Sequence, residues 1–342
     1  MDQNRMPLVE ALQQFREEAP AYFRIPGHRF ERGLDEALNG ASLAAYDLSE
    51  AEGLDDLHHA EGVIAEAQRL AAETWKAKKT FFLVNGTTCG NEAMVLSSVK
   101  KGEKIIVPRN VHKSVLMGLI LCGATPVYVM PEYSTKWQMW GGVTPETIEK
   151  AFDETPDAKA VLLVSPTYYG LCSDLKAIAK ICHRHNAALL VDEAHGSHLY
   201  FSKELPSGAL ESGADACAQS IHKTAGSFTQ SSFLSLGSDR LDEKKVAANL
   251  QMVQSTSPSY LLMASLDAAR RGMALHGRER MERALALSRR ARQELALIKG
   301  IEVLGTEMEG TCGVWKIDPT RLVFSARELG ISGYDLKVRL YE

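Results

Sequence analysis

Three short loops concentrate the residues able to do chemistry. Asn85-Gly86-Thr87-Thr88-Cys89-Gly90-Asn91 follows an apolar run and opens a helix-like stretch. Its glycines allow close backbone approach, its two hydroxyls can donate, and a helix N-terminus favours an anion, so it reads as a phosphate cradle. Val191-Asp192-Glu193-Ala194-His195 places a carboxylate at the end of a second apolar run. Gln219-Ser220-Ile221-His222-Lys223-Thr224 places an amine beside a hydroxyl and an imidazole.

Each loop has a plainer reading. Asp-Glu-Ala-His is also the second nucleotide motif of one helicase class, but that needs a partner G-x-x-x-x-G-K-[ST] loop, and the chain has no Gly-Lys-Ser or Gly-Lys-Thr. Asp192, His195 and His198 could start a metal site, yet nothing at ligand spacing completes it, and no metal is expected. A single lysine such as Lys223 is most often a solvated surface residue. The combination changes that weighting: a phosphate-like loop, then a strand-end aspartate, then a Ser-x-His-Lys loop about thirty residues later. Pyridoxal 5'-phosphate (PLP) needs such parts. Its aldehyde takes an amine, its pyridine nitrogen needs a carboxylate to stay protonated as an electron sink, and its phosphate needs hydroxyls and backbone N–H groups.

The elements that must position these loops alternate. Val63, Ile64, Ala67, Leu70, Ala71 and Trp75 recur at helical spacing. Apolar runs at 80–84, 105–107, 127–129, 161–164 and 188–191, and a strand-like 215–218, suit a mostly parallel sheet covered on both faces. Thr144-Pro145 is a capped helix start, and Ser173-Asp174 opens another helix that runs to His185-Asn186. His183 and His185 are expected there as partners of the helix dipole. Such alternation predicts an α/β domain with right-handed crossovers and ligands at the carboxyl ends of the strands. From Gly277 to Lys299 a long helix is expected, with Arg278, Arg280, Arg283, Arg289, Arg290 and Arg292 on a solvated face. Beyond Gly300 the pattern turns to short strands at 301–304 and 321–324, then a helix-like stretch at 333–338.

The 342 residues, 45% hydrophobic and 24% charged, are ordinary for a soluble globular enzyme. A net charge of -4 gives no strong pull toward nucleic acid or anionic membrane, and no apolar run reaches the roughly 18 residues of a membrane helix. The polar N-terminus lacks an apolar signal core, and a cytoplasmic location is expected. The six scattered cysteines form no C-x-x-C pair and read as free, mostly buried thiols.

Several motifs in one order resemble the ornithine/lysine/arginine decarboxylase family of fold-type I PLP enzymes, in its shorter bacterial form. They are Pro26-Gly27-His28, the stretch from Gly53 to His58, Phe82 to Thr88, Arg109 to Ser114, Ser165 to Gly170, Asp192 to Gly196, and Ser220 to Thr224. The resemblance implies a transferase-like, three-layer α/β/α large domain plus an incomplete C-terminal α+β domain. It implies Lys223 as the Schiff-base lysine, Asp192 paired with the pyridinium nitrogen, and His112 stacked on the ring, these three being catalytic. Gly86, Thr87, Thr88 and Ser220 would hold the phosphate, Ala194 would pack on the opposite ring face, and His195 and His222 would lie nearby. Pro26-Gly27-His28 and Asp55-Asp56 would shape the substrate entrance or a dimer interface, or else be only a turn and a helix start.

The expected organisation is an N-terminal segment (1–60), a PLP-binding large domain (61–297) and the start of a small domain (298–342). Family members continue past this point, so a C-terminally truncated chain is expected. The expected function is decarboxylation of arginine, lysine or ornithine to the amine and CO2 by a homodimer or larger homo-oligomer. Transamination, or a silent PLP-binding remnant, stands as the alternative. Neither nucleic acid nor membrane is expected as a partner.

Overall fold

β-Branched and leucine-rich runs bounded by polar turns form a seven-stranded sheet in the computed structural model, which describes residues 2–18, 26 and 42–341. The strands are β1 (Lys79–Leu83), β2 (Lys104–Pro108), β3 (Thr125–Val129), β4 (Ala160–Val164), β5 (Ala188–Asp192), β6 (Ala216–Gln219) and β7 (Ser232–Leu236). Their order is β1-β7-β6-β5-β4-β2-β3. β7 is antiparallel to both its neighbours, β1 and β6, and the other pairs in the sheet are parallel. β7 has no clear strand signature in the sequence, because serines interrupt its apolar pattern. In the fold Ser235 Oγ pairs with Thr80 Oγ1 at 2.9 Å and Ser232 Oγ accepts from Thr87 Oγ1 at 3.2 Å, so these buried hydroxyls are satisfied.

Helices cover both faces: α1 (Pro7–Glu18), α2 (Val63–Thr74), α3 (Gly86–Ser98), α4 (Lys113–Cys122), α5 (Pro145–Glu154), α6 (Leu175–Arg184), α7 (Ile221–Thr224), α8 (Glu243–Val253), α9 (Tyr260–Ala296) and α10 (Gly333–Tyr341). Successive strand side chains point to opposite faces. Leu83, Ile105, Leu162, Leu190 and Leu234 pack with Met94 of α3, Val115 of α4 and Leu250 of α8. Ile106, Val161, Leu163, Leu189 and Val191 pack with Phe152 of α5 and Ile178 of α6. Phe82 and Phe233 stack at 5.1 Å in a third cluster with Trp75, α1 and α9. Each such side chain contributes about 1.5–3 kcal/mol on burial.

Capping follows the sequence signals. Thr144 accepts from Thr147 N at 3.1 Å, and Asp174 from Ala177 N at 3.0 Å. Asp55 is a helix-start residue: its carboxylate accepts from the backbone N–H groups of Glu61, Gly62, Ile64 and Ala65 at 2.8–3.3 Å, gathering the first turn of α2. Asp56 accepts from His58 N at 2.8 Å. Pro26 is described, but Gly27 and His28 lie outside the described residues. His183 and His185 do more than face the end of α6: they pair with Asp215 at 3.0 Å and Glu149 at 3.1 Å.

The first half of α9 is anchored by a fully buried ion pair, Arg270 to Asp267 at 2.6 Å, and Asp267 also accepts from Leu8 N at 3.1 Å. Of the arginines expected on its solvated face, Arg292 departs. Its guanidinium donates to the carbonyls of Leu304 and Arg321, because the chain beyond α9 folds back against it. There Glu302–Val303 pairs with Phe324–Ser325, so the expected strand at 321–324 is shifted toward the C-terminus. Lys316–Ile317 pairs with Leu171–Cys172 of the sheet domain. Met139, Leu171, Leu304, Met308, Val314 and Ile317 close a small core over this junction.

Candidate active site

The carboxyl ends of β1, β2, β4, β5 and β6 open on one cavity of about 1060 Å3. The described residues lining it include Gly86, Thr87, Thr88, His112, Asp192, Ala194, His195, Ser220, His222 and Lys223, the residues expected to be catalytic or to hold the cofactor, whereas Asp55 and Asp56 do not line it.

The phosphate-like loop turns β1 into α3. Gly86 sits at φ +71°, a left-handed conformation that glycine adopts at little cost. The next residues supply the free N–H groups of a helix start. Thr87 Oγ1 lies 2.6 Å from Ser220 Oγ, joining this loop to the loop after β6.

Asp192 ends β5 and is buried. Its Oδ2 accepts from Asn91 Nδ2 at 2.8 Å and its Oδ1 from Ala194 N at 3.1 Å. Burial raises its pKa, while the Asn91 and Ala194 hydrogen bonds and the nearby His112 and Lys223 pull the other way. Asn91 also donates to Ser114 Oγ at 2.9 Å. Ser114 Oγ in turn contacts His112 Nδ1 at 2.8 Å. His112 is both a cavity residue and the N-cap of α4, accepting from Ser114 N at 3.2 Å. Next to Asp192, Glu193 is buried and holds the turn: it accepts from Ala209 N at 2.7 Å, Tyr200 OH at 2.8 Å and Gln219 Nε2 at 2.7 Å. Burial pushes its pKa up to about 7 against those donors.

Lys223 lies in the short helix α7 after β6, with its Nζ 3.2 Å from His195 Nε2. Burial lowers its pKa; Asp192 opposes the shift and Arg321 adds to it. His222 is turned by its Nδ1 contact to Ser231 O at 2.8 Å. Tyr168 meets the His195 ring edge-on at 5.6 Å.

A helix-mounted phosphate cradle, a buried strand-end carboxylate and an amine of lowered basicity fit PLP by their donor chemistry. Among the described residues no group of three potential metal ligands forms.

The model of the Orn/Lys/Arg decarboxylase major domain matches residues 6–328. The chain belongs to the ornithine/lysine/arginine decarboxylase family. It is 43% identical to an arginine decarboxylase of Halalkalibacterium halodurans over 343 residues, covering 99% of this chain and 70% of the relative. A solved lysine decarboxylase A of Pseudomonas aeruginosa superposes with TM-score 0.78 at 25% identity, covering 91% of this chain and 46% of that one. A lysine decarboxylase of Francisella novicida, at 22% identity and TM-score 0.77, shares the fold, covering 94% of this chain and 51% of that one. The chain therefore spans about half the length of the solved decarboxylases it resembles. The family and its structural neighbours are PLP-dependent, and the fold is the fold-type I α/β architecture.

In the sequence Asn91 and Ser114 stand only inside longer motifs and Arg321 only in an expected strand, none with a role of its own. Asn91 follows Thr87 by one helical turn, and that i, i+4 spacing places both on one face of α3. Arg321 carries no such signal: it reaches His195 across 126 residues of chain. Tyr133, Trp140, Tyr168 and Tyr169 line the same cavity and add an aromatic wall.

Proposed function

We propose that this chain binds PLP at Lys223 and decarboxylates a basic amino acid, arginine foremost. The observation that carries this reading is the convergence of Lys223, Asp192 and the Gly86-Thr87-Thr88 loop on one cavity. Identity of 43% to an arginine decarboxylase supports the choice of substrate.

When bound, PLP supplies a carbonyl that condenses with amines and a protonated ring that takes up the electron pair left as CO2 departs. Lys223 would provide the amine that holds the cofactor. Asp192 would keep a proton on the ring nitrogen, and its hydrogen bonds from Asn91 and Ala194 hold the carboxylate in place. His112 and Ala194, both lining the cavity, would pack against the ring. Thr87, Thr88, Ser220 and the backbone of Gly86 would hold the phosphate.

The large domain of this reading covers 61–297 and the small domain begins near 298, where α9 has ended at Ala296. A cytoplasmic homodimer or larger assembly completes it. Exposed Ile120 (71%) and Leu121 (61%) on α4, whose N-terminus lines the cavity, support self-association. Among the described residues no helix is long and apolar enough to cross a membrane.

The test is a product assay over a panel of amino acids with PLP supplied. Amine plus CO2 from arginine is the expected outcome. A keto acid with amino-group transfer would replace the reading by transamination, and no product from any substrate would leave a silent PLP binder.

A further inference from the structure

The two ring nitrogens of His195 meet two basic side chains. Arg321 Nη2 lies 2.9 Å from Nδ1, and Lys223 Nζ lies 3.2 Å from Nε2. A guanidinium stays charged and has only N–H groups to offer, so the Nδ1 it addresses must present a lone pair. A neutral imidazole has one lone pair and one N–H, which puts the proton on Nε2. An ammonium is likewise donor-only. The Nε2–H to Nζ contact is therefore a hydrogen bond only when Lys223 is the neutral amine, the nucleophilic form.

We propose that Arg321 is a positioning residue for Lys223: it fixes His195 as the Nε2–H tautomer, and that N–H donates to the lysine amine and favours its uncharged form. The proposal rests on the reading of Lys223 as the amine that holds the cofactor.

The surroundings are built for this contact. Gly170, at φ +80°, leaves room for the arginine stem; a Cβ there would come within 2.8 Å of Arg321 Cγ. The Arg321 backbone is held at both ends: its N–H donates to Asp318 O at 3.1 Å and its carbonyl accepts from Arg292. Asp318 is itself locked to buried His198 at 2.9 Å. The charged and titratable groups acting on His195 and Lys223 are Asp192, His112, His198 and Arg321. Burial first, then the neighbouring cations, lower the His195 pKa to about 4, so the imidazole stays neutral across the working range. Arg321 also opposes the lysine charge directly, and a test must separate that field effect from the tautomer effect.

Two variants separate them. Arg321→Gln and Arg321→Met both remove the charge, but only Gln retains an N–H donor for Nδ1. The first readout is the 15N spectrum of the histidine-labelled 342-residue chain stripped of cofactor, with His195 assigned by its loss in His195→Gln. The wild type and Arg321→Gln should show pyridine-type Nδ1 and pyrrole-type Nε2, and Arg321→Met should shift population to the other tautomer. The second readout is trace acetylation of Lys223, mapped by mass spectrometry from pH 6 to 10. At a fixed pH below the midpoint, Lys223 of Arg321→Met should react about fivefold more slowly than that of Arg321→Gln, the weight of one ordinary hydrogen bond.

A pyrrole-type Nδ1 in the wild type, or equal labelling in the Gln and Met variants when their spectra show different tautomers, would overturn the proposal. The wild-type spectrum decides even if a variant does not fold. Borohydride mapping of the cofactor to another lysine would instead remove the reading of Lys223 and leave the His195 tautomer measurement standing.

Discussion

Asn91 Nδ2 donates to Asp192 Oδ2 across 2.8 Å, tying helix α3 to the end of strand β5 inside the cavity. The amide thus opposes the burial that raises the Asp192 pKa. Asn91→Ala removes this donor, so Asp192 should keep its own proton to a higher pH. The acid limb of the kcat–pH profile should move to higher pH, with kcat at its plateau less affected. Asp192→Asn should retain PLP and lose turnover by about 100-fold or more, the scale of a lost preorganised electrostatic contact. Both are read from steady-state rates across pH. Near-normal turnover of Asp192→Asn would remove this carboxylate from the mechanism.

Lys223→Ala should abolish the visible absorbance of covalently held PLP in the purified protein. Borohydride reduction of the wild type followed by peptide mapping should place the pyridoxyl group on Lys223. A label on any other lysine contradicts the assignment.

The buried pair of His198 and Asp318 makes stability pH-dependent. Burial by itself raises the Asp318 pKa, but hydrogen bonds from His198 and Thr320, with the charge of His198, outweigh it and leave the pKa below its ordinary value of 3.8. With the folded pKa below the unfolded one, the stabilisation is complete above about pH 4 and is lost as pH falls through the folded value. Asp318→Asn should cost about 3 kcal/mol at pH 6, the scale of a broken buried pair. The gap in Tm between variant and wild type should narrow toward pH 3. A gap that widens with acid would contradict the sign.

Asp55 gathers the N–H groups at the start of α2 but does not line the cavity. Asp55→Ala should destabilise the fold by about 1–2 kcal/mol, the cost of a lost N-terminal cap. Urea unfolding checks this, and kcat of the folded fraction should be unchanged. Loss of turnover without loss of stability would return Asp55 to the substrate entrance.

By itself the sequence determined whatever depends on local pattern. Apolar runs specified β1, β2, β4 and β5, because a strand buried on both faces needs continuous hydrophobicity. Side-chain caps specified where α5 and α6 begin. The order of the three loops specified the cavity, because parallel strands with right-handed crossovers bring their carboxyl ends to one edge. Tertiary structure decided what depends on partners distant in the chain. The serines of β7 became strand residues only because Thr80 and Thr87 satisfy them. Arg292, one of several arginines on an exposed helix, became a clamp because two carbonyls beyond α9 fold onto it. Arg321 reached His195 because the Lys316–Ile317 strand pairs with Leu171–Cys172 and carries the following turn to the cavity. Hydrogen bonds between residues outside one local pattern, from 12 positions apart for Arg292 and Leu304 to 155 for Thr80 and Ser235, leave no periodicity behind, so only the folded chain reveals them.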